Sequence, residues 1–311
     1  MPIATQKAAC PLCGIDYPHV DIAQGPDFEY RTTGSQEFQL RRCTGCDMVV
    51  LDPRPVDAAI AGLYPAEYEP YRFEQLNALV KTGRRLVQGR KTMVIERYTP
   101  PGGTIVDVGC GNGALLRLLR AQCGNRFRLV GWDYPGAHLD GLASDGIETI
   151  AAAIDAASVP NDVDLFVLNQ VIEHVAYPDR LLAMLSGALR PGGHIVIETP
   201  NTRGLDARWF RARYWGGYHI PRHMVLCTDG NLRRLVERAG LQVVEQTQLA
   251  SPAFWVQSLH HWLSESRAAA LAPLATLRNA ALVAACAMFD LVRARVGVTS
   301  NQRLVARRPP R

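Results

Sequence analysis

The chain has 311 residues, of which 48% are hydrophobic and 20% charged, and its formal net charge is +5. This composition predicts one large α/β domain plus a small accessory module, and it excludes a largely disordered chain. The mild positive charge does not by itself indicate a nucleic-acid-binding protein. The N-terminus lacks the apolar core of a signal peptide, and every apolar run is shorter than the roughly 20 residues that span a bilayer. We therefore expect a cytoplasmic protein.

Residues 1–55 are predicted to form a zinc-ribbon module. They carry two Cys-x-x-Cys pairs, which consist of Cys10, Cys13, Cys43 and Cys46. Four thiolates at this spacing suit tetrahedral Zn²⁺ and leave no open coordination position, so the predicted role of the metal is structural. A module of this size needs such a staple because its own hydrophobic core is small.

The rest of the chain is predicted to consist of four further parts. Residues 56–99 have a helical pattern and are taken as a linker or cap. Residues 100–250 alternate short apolar strands with helices, which indicates parallel strand-helix-strand units in a doubly wound sheet. Residues 251–300 form a helical insertion, and residues 301–311 add a last strand and a tail. The predicted strands are 38–43, 104–108, 128–132, 148–151, 163–169, 194–199, 241–249 and 302–308, and the predicted helices are 114–123, 179–189 and 228–239.

A glycine-rich turn after the first strand of the α/β region is the most informative motif. Gly109, Gly111 and Ala114 satisfy the G-x-G-x-x-G/A pattern of dinucleotide-binding proteins, so the glycine spacing alone leaves the cofactor open. Asp107 argues against a dinucleotide, because its carboxylate would repel a pyrophosphate near the helix N-terminus. S-adenosylmethionine instead carries a positive ammonium and a positive sulfonium. Asp133, at the end of the next strand, can accept hydrogen bonds from ribose hydroxyls in either case.

Four segments then follow one another in the order of a known family: 105–113, 164–175, 189–200 and 223–241. Together they resemble class I S-adenosylmethionine-dependent methyltransferases, and the resemblance covers about 100–250 plus the last strand. It implies a Rossmann-like, doubly wound α/β sheet of seven strands in the order 3-2-1-4-5-7-6, with the seventh strand antiparallel.

The resemblance also implies how the cofactor is bound. The methionine part would contact the glycine turn, the ribose would bind Asp133, and the adenine amine would meet Asp155 on the loop after the third strand. Asn169 and Gln170, at the end of the fourth strand, would face the transferring methyl group. The cofactor-binding residues implied in this way are Asp107, Gly109, Cys110, Gly111, Gly113, Asp133, Tyr134, Asp155, Asn169 and Gln170.

Methyl transfer to oxygen or carbon usually needs a general base. Aromatic residues and a Gly-Gly pair between 209 and 219 predict a mobile cover over the substrate, and His219 in this cover is our first choice for the base. His174 follows Glu173 at the mouth of the fourth strand, where the Glu-His pair is more simply explained as the floor of the cofactor site. The predicted catalytic residues are His219, His174, His223 and Tyr214. The His219-x-x-x-His223 spacing also suits a second metal, but Pro221 argues against the helix that such a site would need.

These motifs leave the methyl acceptor open. Some ribosomal RNA methyltransferases also begin with a four-cysteine module, but here acidic side chains outnumber basic ones, which disfavours RNA. Segments 27–32 and 51–55 resemble bacterial zinc-ribbon methyltransferases of natural-product and surface-glycan pathways. We therefore predict methyl transfer to O or C of a small-molecule, sugar or lipid-linked intermediate. The alternatives are an RNA methyltransferase and a non-enzymatic zinc-ribbon interaction protein.

Two apolar runs in the insertion, 268–277 and 280–289, are each about half the length that spans a bilayer. They lie among arginines, with Asp290 the only acid. A helical hairpin that packs on the core or on a second subunit is the favoured interpretation, because a helix that is apolar all round is usually buried. The alternative is peripheral contact of 268–296 with an anionic membrane, at its inner face. Nucleic acid is not an expected partner.

Overall fold

The computed structural model describes residues 2–14, 19–65 and 89–310. The part of the predicted linker between 66 and 88 lies outside the described residues. The strands are β1 (Thr5–Gln6), β2 (His19–Gly25), β3 (Phe38–Cys43), β4 (Val49–Leu51), β5 (Arg54–Pro55), β6 (Thr104–Val108), β7 (Arg128–Asp133), β8 (Glu148–Ala151), β9 (Val163–Asn169), β10 (Leu189–Pro200), β11 (Val225–Leu226), β12 (Gln242–Leu249) and β13 (Asn301–Arg307). The helices are α1 (Asp57–Ile60), α2 (described over 89–97), α3 (Ala114–Cys123), α4 (Pro178–Ala188), α5 (Leu205–Trp209), α6 (Asp229–Arg238), α7 (Pro252–Ser264) and α8 (Ala280–Val296).

A seven-stranded sheet forms the centre of the molecule, in the order β8-β7-β6-β9-β10-β13-β12. Its first five strands are parallel, and β13 runs antiparallel to both β10 and β12. The predicted order 3-2-1-4-5-7-6 is therefore confirmed. Residues of β6 and β9 are almost all buried and mostly apolar, as expected for strands covered on both faces.

The helices on the sheet form where the sequence predicts them. Leucines 115, 116 and 119 of α3 are buried on one face, and α6 begins with a capping box between Thr228 and Asn231. The helix α4 ends at Ala188, and β10 begins at Leu189, five residues before the predicted strand 194–199. The strand starts early because Leu189 pairs with Val163, and the register then shifts before His194 resumes the ladder.

The sheet of the cysteine-rich segment is completed by a strand from another part of the chain. The sheet has the order β2-β3-β4-β11, and β11 comes from the methyltransferase-like part of the chain, antiparallel to β4. Leu12 and Phe38 of the segment belong to the same buried cluster as Val108 and Phe166 of the central sheet. The boundary at residue 55 remains a prediction, but the hydrophobic core runs through it.

One helix of the central domain holds both cysteine pairs. Arg238 of α6 donates a hydrogen bond to the carbonyl of Leu12, which lies between Cys10 and Cys13. Asn231, at the other end of α6, donates to the carbonyl of Cys46. The two pairs are therefore fixed relative to the sheet as well as to each other.

A fully buried ion pair joins the loop after β2 to the segment before β11. The guanidinium of Arg222 donates to both carboxylate oxygens of Asp27, at 3.0 and 2.8 Å, and both side chains have no exposed surface. Arg222 Nε also donates to the carbonyl of Leu63 at 2.8 Å. Burial alone would raise the pKa of Asp27, but the hydrogen bond and charge of Arg222 hold that pKa well below its usual value.

The insertion differs from its prediction. The run 268–277 is a 3₁₀ segment over Ala269–Leu274 that contains Pro273, so it is not the first helix of a hairpin. The hairpin partner of α8 is instead α7. Within the described residues, no helix is both long enough and apolar enough to cross a membrane.

We predict that Asp27→Ala lowers the free energy of unfolding by about 3–5 kcal/mol, because it leaves the Arg222 guanidinium buried without its counter-charge. Urea denaturation measures the loss. The matched control is Glu148→Ala, which removes an equally short but exposed pair with Arg128 and should cost less than about 1 kcal/mol. Equal losses for the two variants would contradict the assigned importance of the buried pair.

Candidate active site

The turn between β6 and α3 has the backbone geometry that glycine permits. Gly109, Gly111 and Gly113 have φ angles of +66°, +56° and +72°, which side chains of other residues rarely adopt. A Cβ at Gly109 would lie 2.8 Å from Cγ2 of Val171, and one at Gly113 would lie 2.3 Å from Cδ2 of Leu142. The turn is therefore closely packed and brings its backbone N–H groups to the carboxyl edge of the sheet.

Asp133, at the end of β7, holds this turn in place. Its carboxylate accepts hydrogen bonds from the backbone N–H of Gly111 and of Tyr134, each at 2.7 Å. Each carboxylate oxygen can accept a second hydrogen bond, so the group can also bind a ribose diol. The side chain of Tyr134 is 57% exposed beside it. These residues fit the nucleoside part of the predicted cofactor.

Two other residues of the predicted set lie differently. The thiol of Cys110 points into the core, since a Cβ at Gly131 would lie 2.8 Å from its sulfur. Cys110 can therefore contribute only its backbone to a ligand. Asp155 is exposed on the loop after β8, where its Oδ1 accepts hydrogen bonds from the backbone of Ala157 and Ser158.

Asp107 is buried at the end of β6, directly before the glycine turn. Burial raises its pKa to about 7, and the nearby charge of Asp133 acts in the same direction while Lys91 opposes it. The side chain is thus balanced between its neutral and charged forms at neutral pH. A cationic ligand beside it would favour the carboxylate.

A buried network that the sequence did not reveal lies beside Asp107. Lys91 of α2 forms an ion pair with Glu198 of β10 at 2.7 Å and donates to Oδ1 of Asn169 at 2.5 Å. Arg303 of β13 also pairs with Glu198, at 2.6 Å. Gln170 follows Asn169 with φ +55°, and its N–H donates to the carbonyl of Glu198. The network fixes the end of β9, where the transferring methyl group is expected.

Three histidines of the predicted catalytic set form one cluster. The ring centroids of His174 and His223 are 4.7 Å apart, and those of His219 and His223 are 5.0 Å apart. His174 belongs to the short 3₁₀ turn that follows Val171, the residue in contact with Gly109. The cluster therefore lies next to the cofactor turn.

Burial keeps two of these histidines neutral. It lowers the pKa of His174 to about 3, with the charge of His219 acting in the same direction, and it lowers that of His223 far below the usual range. Burial also raises the pKa of Glu173 to about 8. Ligand atoms of Glu173, His174 and His223 lie within 4.8 Å of one another. The group that could bind a cation is therefore this one, and not the pair His219 and His223 that the sequence spacing suggested.

His219 makes a much closer carboxylate contact than His223, whose Nε2 lies 4.0 Å from Oε1 of Glu173. The Nδ1 of His219 lies in short contact with Oε2 of Glu29, from the loop after β2, and both side chains are 14% exposed. Burial alone would raise the pKa of Glu29, but the charge and hydrogen bond of His219 lower it below its usual value. Glu29 is distant from His219 in sequence and carries no motif, so sequence analysis could not assign it to this site.

The segment predicted as a mobile cover is packed into the protein. Trp215 is 1% exposed, and its indole N–H donates to Asp206. A Cβ on Gly216 would lie 2.6 Å from Cβ of Gln257 in α7. The Gly-Gly pair thus permits close packing here.

Tyr214 lies outside the histidine cluster, where its hydroxyl donates to Glu265 at the end of α7. It lines an open cleft of about 510 Å³ whose other walls are mostly aromatic or aliphatic: Trp209, Phe210, Arg211, Ala212, Leu259 and Trp262. Arg213, the residue before Tyr214 in the chain, lines a separate small cavity of about 10 Å³ with Glu29 and His219. The cleft and this cavity are lined by neighbouring residues of the same segment.

The four predicted metal ligands meet at one point. The sulfur atoms of Cys10, Cys13, Cys43 and Cys46 lie within 4.8 Å of one another, and those of Cys10 and Cys46 are 3.5 Å apart. Tetrahedral zinc with sulfurs about 2.3 Å away requires sulfur–sulfur distances of about 3.8 Å. Burial raises the pKa of Cys10 to about 11, so a cation is needed to hold its thiolate at neutral pH. The donor set fits zinc.

Comparison with known proteins gives a consistent result. A family model described as a methyltransferase domain matches residues 80–246. A ubiquinone biosynthesis O-methyltransferase of Cupriavidus pinatubonensis is 31% identical over 157 residues, which cover 46% of this chain and 62% of that protein. A protein of the same description from Cereibacter sphaeroides is 32% identical over 176 residues, 51% of this chain and 68% of its own length. The chain thus spans about two thirds of the length of these relatives.

We predict that the affinity for S-adenosylmethionine falls about tenfold between pH 8 and pH 6, because a cationic ligand requires the charged form of Asp107. Binding at the lower pH should release close to one proton, which calorimetry in buffers of different ionisation enthalpy detects. Asp107→Asn should bind more weakly and lose the pH dependence, whereas Asp155→Asn, the control, should keep it. An affinity of the native protein that stays constant over this range would refute the assignment.

Proposed function

The chain belongs to the methyltransferase domain family, and we propose that it transfers a methyl group from S-adenosylmethionine to a hydroxyl oxygen of a small-molecule, sugar or lipid-linked intermediate. The observation that carries this proposal is the contact between His219 and Glu29 beside the cofactor turn. Oxygen is preferred over carbon as the acceptor because the named relatives are O-methyltransferases.

The pairing with Glu29 suits His219 to act as a general base. Its Nδ1 contacts the Glu29 carboxylate, and its Nε2 would accept the proton of an acceptor hydroxyl when the acceptor binds. The carboxylate would then stabilise the imidazolium that forms. S-adenosylmethionine, held by the glycine turn and Asp133, would supply to the acceptor oxygen a methyl group already activated by its sulfonium.

His174 and His223 are poorer bases than His219. Burial lowers the pKa of His174 to about 3, and the charge of His219 acts in the same direction. The Nδ1 of His223 is 2.8 Å from the carbonyl of Gly217, which can accept a hydrogen bond from it, and burial lowers the pKa of His223 far below its usual range. The two neutral rings instead line the site and position the acceptor through contacts and hydrogen bonds.

The aromatic cleft supports an acceptor with an apolar body. Trp209 and Trp262 are 67% and 45% exposed at its mouth, which is unusual for such large apolar side chains. The cleft and the small cavity beside His219 are lined by adjacent residues, Tyr214 and Arg213, and we expect the apolar part of the acceptor to lie in the cleft.

Two acidic residues of the cysteine module, Asp27 and Glu29, are paired with Arg222 and His219 and are little exposed. The remaining charges of the module come closer to balance, and RNA binding would require a basic excess. A small acceptor remains the proposed substrate class.

We also propose that the four cysteines bind one structural zinc ion. The protein should contain one zinc per chain by elemental analysis, and Cys13→Ser should lose the metal together with several kcal/mol of stability, because metal binding and folding are coupled. The matched control is Cys123→Ser, a half-buried cysteine outside the site, which should keep the zinc. Full zinc content in the Cys13→Ser variant would disprove the site.

We predict that His219→Gln lowers kcat by about 10²–10⁴-fold, the usual contribution of a general base, while the affinity for S-adenosylmethionine is unchanged. Glu29→Gln should lower kcat less, because the imidazole stays in place but the imidazolium loses its carboxylate. His194→Gln, in the middle of β10 and outside the histidine cluster, is the control and should keep its activity.

Labelled methyl transfer to cell extract provides the assay before the acceptor is identified. The label should stay in small or lipid-extractable products after nuclease treatment. Loss of the labelled product with nuclease would establish the RNA alternative, and full activity of His219→Gln would remove His219 as the base.

A further inference from the structure

The helix α8 exposes an apolar face to solvent. Met288, Val292 and Val296 follow one another at four-residue intervals and are 63%, 55% and 80% exposed. Phe289 lies beside them and is 44% exposed. Side chains at this spacing project from one side of a helix, so they form a continuous stripe. Within this chain, the run 280–289 is therefore not buried on all sides.

The polarity of α8 is the reverse of an ordinary surface helix. Its one acidic residue, Asp290, is 2% exposed and faces the protein. The Asp290 carboxylate accepts hydrogen bonds from the backbone N–H of Ser251 and from the indole N–H of Trp255. The polar group is thus used to fix the helix on α7, while apolar side chains are left outside. Such an arrangement indicates that another apolar medium covers the outer face.

The neighbouring segment extends the apolar surface. In the 3₁₀ segment Ala269–Leu274, Leu271 and Leu274 are 51% and 62% exposed. Trp262 of α7 is 45% exposed. The helix α7 packs against both the 3₁₀ segment and α8. We call the exposed apolar side chains of these three elements the insertion face.

The charge around the insertion face is mostly positive. Residues 266–300 contain four arginines and one acid, the buried Asp290, and the exposed Glu265 at the end of α7 pairs with Arg213. Arg267, Arg278 and Arg295 are exposed. The surroundings of the insertion face therefore attract anions.

This positive charge favours one of the two candidate occupants of the insertion face, which are a second copy of the chain and a membrane surface. In a twofold dimer the same face meets itself, which would bring the arginines together with only Glu265, already paired with Arg213, to offset them. An anionic lipid surface instead offers phosphates for the arginines and acyl chains for the apolar side chains. We propose that the insertion face docks on an anionic membrane surface.

Co-sedimentation of the full chain with vesicles tests this proposal. Binding should be strong to vesicles of phosphatidylglycerol and phosphatidylcholine, weak to phosphatidylcholine alone, and reduced by salt. The double variant Met288→Glu/Val292→Glu should bind anionic vesicles at least about tenfold more weakly. Arg267→Ser/Arg295→Ser should reduce the preference for anionic vesicles and its salt dependence.

The matched control is Met93→Glu/Val244→Glu, which places the same charges on exposed apolar positions outside the insertion. It should bind vesicles like the native protein. Circular dichroism and unchanged affinity for S-adenosylmethionine verify that each variant is folded. The proposal is overturned if the native protein does not sediment with anionic vesicles or if Met288→Glu/Val292→Glu binds them normally. It is also overturned if that variant only converts a dimer to a monomer in sedimentation equilibrium.

Discussion

The buried ion pair between Asp27 and Arg222 is the constraint on which the active site depends. Removing two charges from water is costly, and the cost is offset only because the guanidinium meets both carboxylate oxygens and a backbone carbonyl. The pair fixes the loop after β2 against the segment before β11. Glu29 is two residues beyond Asp27, and His219 is three residues before Arg222, so the same contact brings the carboxylate to the imidazole.

The cysteine module is therefore a wall of the active site. Its sheet takes β11 from the central domain, and the residue before β11, Met224, donates its N–H to the carbonyl of Glu173. A structural metal that stabilises the module would in this way also position the histidine cluster. The proposed zinc would act on catalysis through geometry, since its four sulfur ligands leave no position for substrate.

Burial adjusts the charges of the site in two opposite ways. At the cofactor turn, it raises the pKa of Asp107 to about 7, so that a cationic ligand is bound together with a change of protonation. In the histidine cluster, it keeps His174 and His223 neutral, and His219 is the ring in short contact with a carboxylate. In the insertion, by contrast, the carboxyl group of Asp290 is buried, whereas apolar side chains of the same helix are exposed to solvent.

The sequence by itself determined the central fold, the cofactor turn and the grouping of the four cysteines. These features are local: strands and helices follow from residue periodicity, the turn from adjacent glycines, and each Cys-x-x-Cys pair from fixed spacing. The run 268–277 was interpreted wrongly as a helix because its apolar composition outweighed Pro273. Only the tertiary structure decided which residues meet across the chain, as Glu29 meets His219, Lys91 meets Glu198, and β11 completes the sheet of the module. Such contacts depend on how separate elements pack, and a lone charged residue has no periodicity or spacing that reveals its partner.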